Sequence, residues 1–107
     1  PALAAALRAG LEGVVARGKP EANDKTMFDA MSPAIDAMDA ALASGVSLSD
    51  AAAAARDAAA AGRDATEPLV ARKGRASYLG ERSAGHLDPG ATSTAMLFDA
   101  LAEVIAA

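Results

Sequence analysis

An all-α domain is what the sequence predicts, and three observations predict it. Alanine, the strongest helix former, makes up most of the 52% of residues that are apolar. Apolar residues recur at three- and four-residue spacing in separate stretches. The stretches are joined by short segments, which favours about four long helices in an antiparallel up-and-down arrangement. A chain of 107 residues is one domain at most. Three aromatics leave the core thin in rings and rich in small side chains.

The first helix is predicted from Ala2 to Arg17, with Leu3, Leu7, Leu11 and Val14 on one stripe and Gly18 as its C-terminal stop. A polar loop, GKPEAND, follows. Asn23 or Asp24 caps the next helix, expected over roughly Lys25 to Ala43. Its core stripe is Met27, Met31, Ile35, Met38 and Leu42, with Phe28 on the flank. Asp29, Asp36 and Asp39 read as a solvated face rather than as metal ligands, and Pro33 marks a kink or a tight first section. Gly45 ends this helix. Ser47 to Asp50 is a near capping box that opens the third, whose alanine run from Ala51 to Ala61 permits close packing. That helix is expected to bend near Pro68 and continue to about Arg72. The last runs from Pro89 to Ala106, with Leu97, Phe98, Leu101, Val104 and Ile105 as its apolar face.

Between the last two helices lies the least interchangeable stretch of the chain, GRASYLGERSAGHLDPGA (Gly74 to Ala91). It holds four glycines, two arginines, the only His and the only Tyr. Glycines this dense permit positive φ or close approach to a ligand. A short helix over Arg75 to Arg82 fits within it, with Tyr78 and Leu79 as buried anchors and His86 held by local hydrogen bonds. Asp88 and Pro89 suit an N-cap and a first helical position. A capping carboxylate already brings negative charge to that helix start. Asp88 is therefore expected to accept from a neutral donor, such as a sugar hydroxyl or base amine, rather than to cradle a phosphate.

The formal net charge of −4 argues against a nucleic-acid surface, and Arg72-Lys73-Gly74-Arg75 suits one small anion better than a polymer. There is no Cys for a disulfide or a cysteine-based zinc site. No apolar run is long enough to span a membrane and the opening residues lack a signal-peptide pattern, so a cytoplasmic location is expected. In an up-and-down arrangement the loops at 18–24 and 73–88 fall at the same end. Gly18, Lys25, Thr26 and Met27 then converge with Arg75, His86 and Asp88-Pro89-Gly90.

Three segments carry a resemblance. ARKGRASYLGERS (Ala71 to Ser83) and GHLDPGA (Gly85 to Ala91), with DKTMFDAMSPA (Asp24 to Ala34) upstream, resemble the dihydroxyacetone kinase L family, the nucleotide-binding helical domain of those kinases. The resemblance covers essentially the whole chain but only the C-terminal half or so of the family domain. It implies helices five to eight of an eight-helix barrel, with ATP or ADP held at the rim. Carried over by motif position, Gly18 and Met27 line the nucleotide pocket, Arg75 reaches the phosphate side, and Asp88, Pro89 and Gly90 contact the nucleotide, with Lys25 and Thr26 adjacent. Asn23 stands where the family often has Gly, and Ala84 and Leu87 are minor departures.

The family holds its magnesium with aspartates of an early Gly-Asp-rich motif that this chain lacks. A fragment is therefore expected, with no metal ligand and no catalytic residue of its own, and inactive alone. The resemblance implies a dihydroxyacetone-binding K domain or subunit as partner, and a half barrel implies the missing N-terminal half or a second copy of this chain. The family includes ATP-dependent kinases and L subunits with tightly held ADP that is rephosphorylated by a phosphotransferase-system protein. A non-catalytic helical interaction module is the reading from a different class. Arg75 and Asp88 together speak against it.

Overall fold

The computed structural model of the chain describes residues 2–106. Four long helices make up most of it: α1 (Ala2–Gly18), α2 (Phe28–Ala43), α3 (Leu48–Ala65) and α4 (Pro89–Ala106), with a 3-10 segment at Arg75–Ser83. The all-α antiparallel expectation holds. α2 is the central helix and lies against each of the other three; α3 and α4 also pack on one another, whereas α1 lies against α2 alone. Arg8 ties α1 to α2 by donating to Asp36 at 2.8 Å and to Asp39 at 2.6 Å. The α2 aspartates expected to face water are thus partly paired.

Small side chains make the core. Ala51, Ala52, Ala55 and Ala59 of α3 are buried with Ala30, Ala34, Ile35 and Met38 of α2 and with Ala91, Ala95, Phe98 and Ala102 of α4. Close packing on alanine is thus realised. The apolar face expected for α4 needs correction, because Leu97 and Val104 are 70% and 74% exposed. Phe98 is buried as expected, with Leu101 and Ile105 partly so, and the alanines of that helix turn inward beside it. Gly62 marks the tightest approach. Pro33 has no N–H to give to the Asp29 carbonyl one turn earlier. A Cβ on Gly62 would overlap that carbonyl oxygen and sit 3.0 Å from Ala30 Cα.

The helix ends differ from expectation in three places, each for a local reason. α1 includes Gly18, and it is Lys19, at φ +48°, that takes the left-handed position and donates to Val15 O. α2 begins at Phe28 rather than Lys25. Asn23 and Lys25 both have positive φ, at +72° and +66°, and neither Asn23 nor Asp24 caps the helix. The Asp29 carboxylate instead accepts from the backbone N–H groups of Asn23, Lys25 and Thr26. α3 stops at Ala65, where the Thr66 hydroxyl donates to Arg63 O, so the helix ends before Pro68 rather than bending through it.

Two ends are as expected. Val46 N donates to Ala41 O and Gly45 N to Leu42 O, the paired bonds of a glycine-terminated helix, with Gly45 at φ +91°. Asp50 N donates to Ser47 Oγ at the start of α3.

Candidate functional site at the loop end

The rim at the loop end is built around a buried cation. Lys25 is 3% exposed. Its ammonium donates to Ser83 O at 2.5 Å, Leu69 O at 3.0 Å and Glu67 O at 3.5 Å. Three donors thus meet three carbonyls. Asp24, also buried, holds the loop from the same side: its carboxylate accepts from Glu21 N, and its carbonyl accepts from Arg72 N at 3.0 Å. The end of α1, the start of α2, the end of α3 and the start of α4 therefore share one end of the molecule, as the short connections require.

The signature stretch is anchored by small polar groups and not by its large apolar ones. The buried Ser83 hydroxyl donates to Gly80 O and accepts from Ala71 N at 2.8 Å, and Gly85 N donates to Glu67 O. Tyr78 and Leu79, expected as buried anchors, are 90% and 46% exposed. His86 is exposed, with no side-chain hydrogen bond among the described residues. The 3-10 segment is broken at Gly80, whose φ of +58° no helix accommodates.

Asp88 starts α4 as a buried N-cap. Its carboxylate accepts from Ala91 N at 2.8 Å, and its own N–H donates to the Thr66 hydroxyl at 2.9 Å. Gly90 leaves room for this: a Cβ there would lie 3.2 Å from Asp88 Oδ2 and 3.4 Å from Met27 Cβ. Burial pushes the Asp88 carboxyl above its ordinary range, against the Ala91 N–H bond, which favours the charged form. The sign follows. With a raised folded pKa the folded state binds more protons than the unfolded, so this group's contribution to stability falls as pH rises out of the acid range. Asp88→Asn keeps an acceptor for the cap and removes the buried charge. It is expected to match or exceed the wild type at neutral pH, with the advantage shrinking in acid. Asp88→Ala loses the cap and about 1 kcal/mol. Thermal unfolding across that pH range checks both; an Asn variant no better than the Ala variant at neutral pH would contradict this account.

Two adjoining cavities open at this end. The larger, about 510 Å³, is lined by Val14, Gly18 and Pro20 on one side of the chain, by Thr26 and Met27, and by Ser77 and Tyr78 of the signature stretch. The smaller, about 300 Å³, is lined by Lys25, Arg75, Asp88, Pro89 and Gly90. Thr26, Met27, Lys73 and Gly74 belong to both. Gly18, Lys25, Thr26, Met27, Arg75, Asp88, Pro89 and Gly90 thus each line one or the other, whereas His86, expected to converge with them, lines neither. Lys25 lines the smaller with its ammonium committed to three carbonyls. Val14, Pro20, Ser77 and Tyr78 were not singled out as contacts. Val14 reads as core by periodicity, and nothing in Pro20 or Ser77 signals a site. Among the described residues no three His, Cys, Asp or Glu side chains are grouped to hold a metal ion, and no helix is long and apolar enough to cross a membrane.

Fold and site together define a helical domain that builds one composite loop site at the shared ends of its helices. The chain belongs to the DAK2 domain family, whose model matches residues 1–103. It is 46% identical over 95 residues to the ADP-binding subunit DhaL of PEP-dependent dihydroxyacetone kinase 1 from Listeria innocua, covering 89% of this chain and 42% of that one. Its identity to the corresponding Escherichia coli subunit is 45% over 95 residues, covering 89% and 45%. To the L-erythrulose 1-kinase of Mycolicibacterium smegmatis it is 42% over 100 residues, covering 92% and 17%. The chain therefore spans less than half the length of these relatives.

Proposed function

We propose that this chain is the nucleotide-binding part of a dihydroxyacetone kinase, corresponding to the C-terminal half of the family domain, with ADP or ATP in the two adjoining cavities. The observation that carries the reading is an apolar wall, formed by Val14, Pro20 and Met27, joined at Thr26 and Met27 to an edge bearing Lys73 and Arg75. Segment 72–82 carries four cations against the single acid Glu81, a net +3 in a chain of net charge −4. The combined volume suits a nucleotide. Arg75 offers a planar fork to a phosphate and Lys73 a point charge, while Gly74 between them lets a ligand approach the backbone. Asp88, Pro89 and Gly90 border the same cavity, and the Asp88 carboxylate would take a hydrogen bond from a ribose hydroxyl or base amine.

Identities of 43–46% to proteins named ADP-binding subunits support ADP as the held nucleotide. Magnesium, when bound, offsets charge on the phosphates; in this reading its ligands lie in the part of the domain outside this chain. The acceptor is dihydroxyacetone or a related short sugar on a K-type domain or subunit. The rest of the eight-helix barrel covers the apolar groove lined by Leu7, Met31, Leu97, Phe98 and Leu101.

Calorimetric titration with ADP tests the site. ADP is expected to bind, and Arg75→Ala to weaken it by roughly tenfold or more, the effect of one charge-assisted hydrogen bond. Adenosine binding should be left nearly unchanged by the same substitution. Equal ADP affinity in wild type and Arg75→Ala would remove Arg75 from the phosphate side.

A further inference from the structure

The only Tyr of the chain stands almost wholly in solvent at the edge of the larger cavity. A ring so placed, apolar on its faces and polar at its hydroxyl, is available as a contact to whatever enters the site. Its mounting fits that role. The turn that carries Tyr78 lies between Gly74 at φ +74° and Gly80 at φ +58°. A Cβ at either glycine would meet nothing within 4 Å. No helix packs closely on this segment among the described residues. Beyond Gly80 the chain is fixed again, by the Ser83 hydroxyl on Ala71 N and by Lys25 on Ser83 O. A short turn on two glycine pivots thus rises from an anchored base, with an aromatic side chain near its tip.

The cavity wall also has a polarity. Lys73 stands where the two cavities adjoin, with Arg72 beside it in the larger and Arg75 beside it in the smaller, whereas Tyr78 shares the larger cavity with Val14, Pro20 and Met27 and takes no part in the smaller. An anionic group belongs at the first place and a flat apolar group at the second. We infer that Tyr78 is the stacking partner of the nucleotide base, swinging on Gly74 and Gly80 to cover it against the Met27 side of the cavity. This rests on the nucleotide reading above. An aromatic ring stacks on any base and loses little side-chain freedom in doing so, so Tyr78 contributes affinity without selecting adenine over another base.

Because the chain has one Tyr and no Trp, its tyrosine emission reports Tyr78 alone. The wild-type chain is titrated with ADP, adenosine and inorganic pyrophosphate, each followed by emission and by calorimetry. ADP and adenosine are expected to quench the emission, and pyrophosphate to leave it unchanged. Tyr78→Ala should weaken ADP by roughly five- to a hundredfold, with pyrophosphate affinity unaltered, and Tyr78→Phe should restore ADP affinity to within about twofold. ADP that binds by calorimetry with unchanged emission, and equally well to Tyr78→Ala, overturns the stacking role and leaves the nucleotide reading standing. No ADP heat at all overturns both.

Discussion

Replacing Lys25 with Met lowers the stability of the chain by about 2–4 kcal/mol in denaturant unfolding, since a lost bond to a charged group is worth roughly 1.5–3 kcal/mol and more than one acceptor is orphaned. Met keeps the length and apolar stem of Lys25 and deletes only the ammonium. Left behind are the carbonyls of Leu69 and Ser83, which that one group satisfies, while that of Glu67 keeps its bond from Gly85 N. Lys25→Arg should recover little, because a planar fork does not reproduce three bonds converging on a single nitrogen. The left-handed backbone at Lys25 is an independent burden, held by the bond from its N–H to Asp29. A Met variant within about 0.5 kcal/mol of wild type, the range of ordinary surface substitutions, would mean that water reaches those carbonyls and the ammonium is dispensable.

Gly62→Ala is expected to destabilise by about 1–3 kcal/mol, the range for overpacking a close contact. Intrinsic preference points the other way, since Ala is favoured over Gly inside a helix by about 1 kcal/mol. The new methyl, however, would land on the Asp29 carbonyl oxygen with Ala30 Cα 3.0 Å away. Both are backbone atoms, which cannot step aside as a side-chain end can. Gly13→Ala supplies the contrast, because a Cβ there meets nothing within 4 Å. That variant should gain up to about 1 kcal/mol. Thermal unfolding of the two variants beside wild type decides the matter; equal stabilisation by both would show that α2 and α3 can separate without loss.

Much of this was legible in the sequence, for reasons that can be named. Four amphipathic stretches with short connections leave few ways to pack, and loop alternation places residues 18–27 beside residues 73–90 whatever the helices bury. The Ser47 cap and the Gly45 stop are local signals read within a few residues. The aspartates of α2 were not legible, because periodicity assigns a face without saying what returns to cover it. Asp29 is covered by its own preceding loop, and Asp36 and Asp39 are met by Arg8. Gly62 is hidden within an alanine-rich run, where nothing separates a glycine at a helix crossing from one that is merely tolerated. Tyr78 misled because an apolar ring inside a motif reads as core, whereas the stretch is held by the small polar Ser83 and the buried Ala71. The α4 face misled in a related way, since Leu97 and Val104 remain outside while Phe98 and the alanines pack within.

The attachment of α1 has a thermodynamic consequence. Among the helices it rests on α2 alone, yet Val14 and Gly18 of α1 form part of the larger cavity wall. Docking of that helix and occupancy of the cavity are therefore linked equilibria. Any ligand that touches Val14 or Gly18 binds only the docked form, so its binding energy is added to the hold of α2 on α1. Conversely, whatever loosens the Arg8 pairing raises the fraction of molecules whose cavity lacks a side, and apparent affinity declines in proportion. Remote from the cavity as it is, the ion pair at Asp36 and Asp39 thereby enters the dissociation constant.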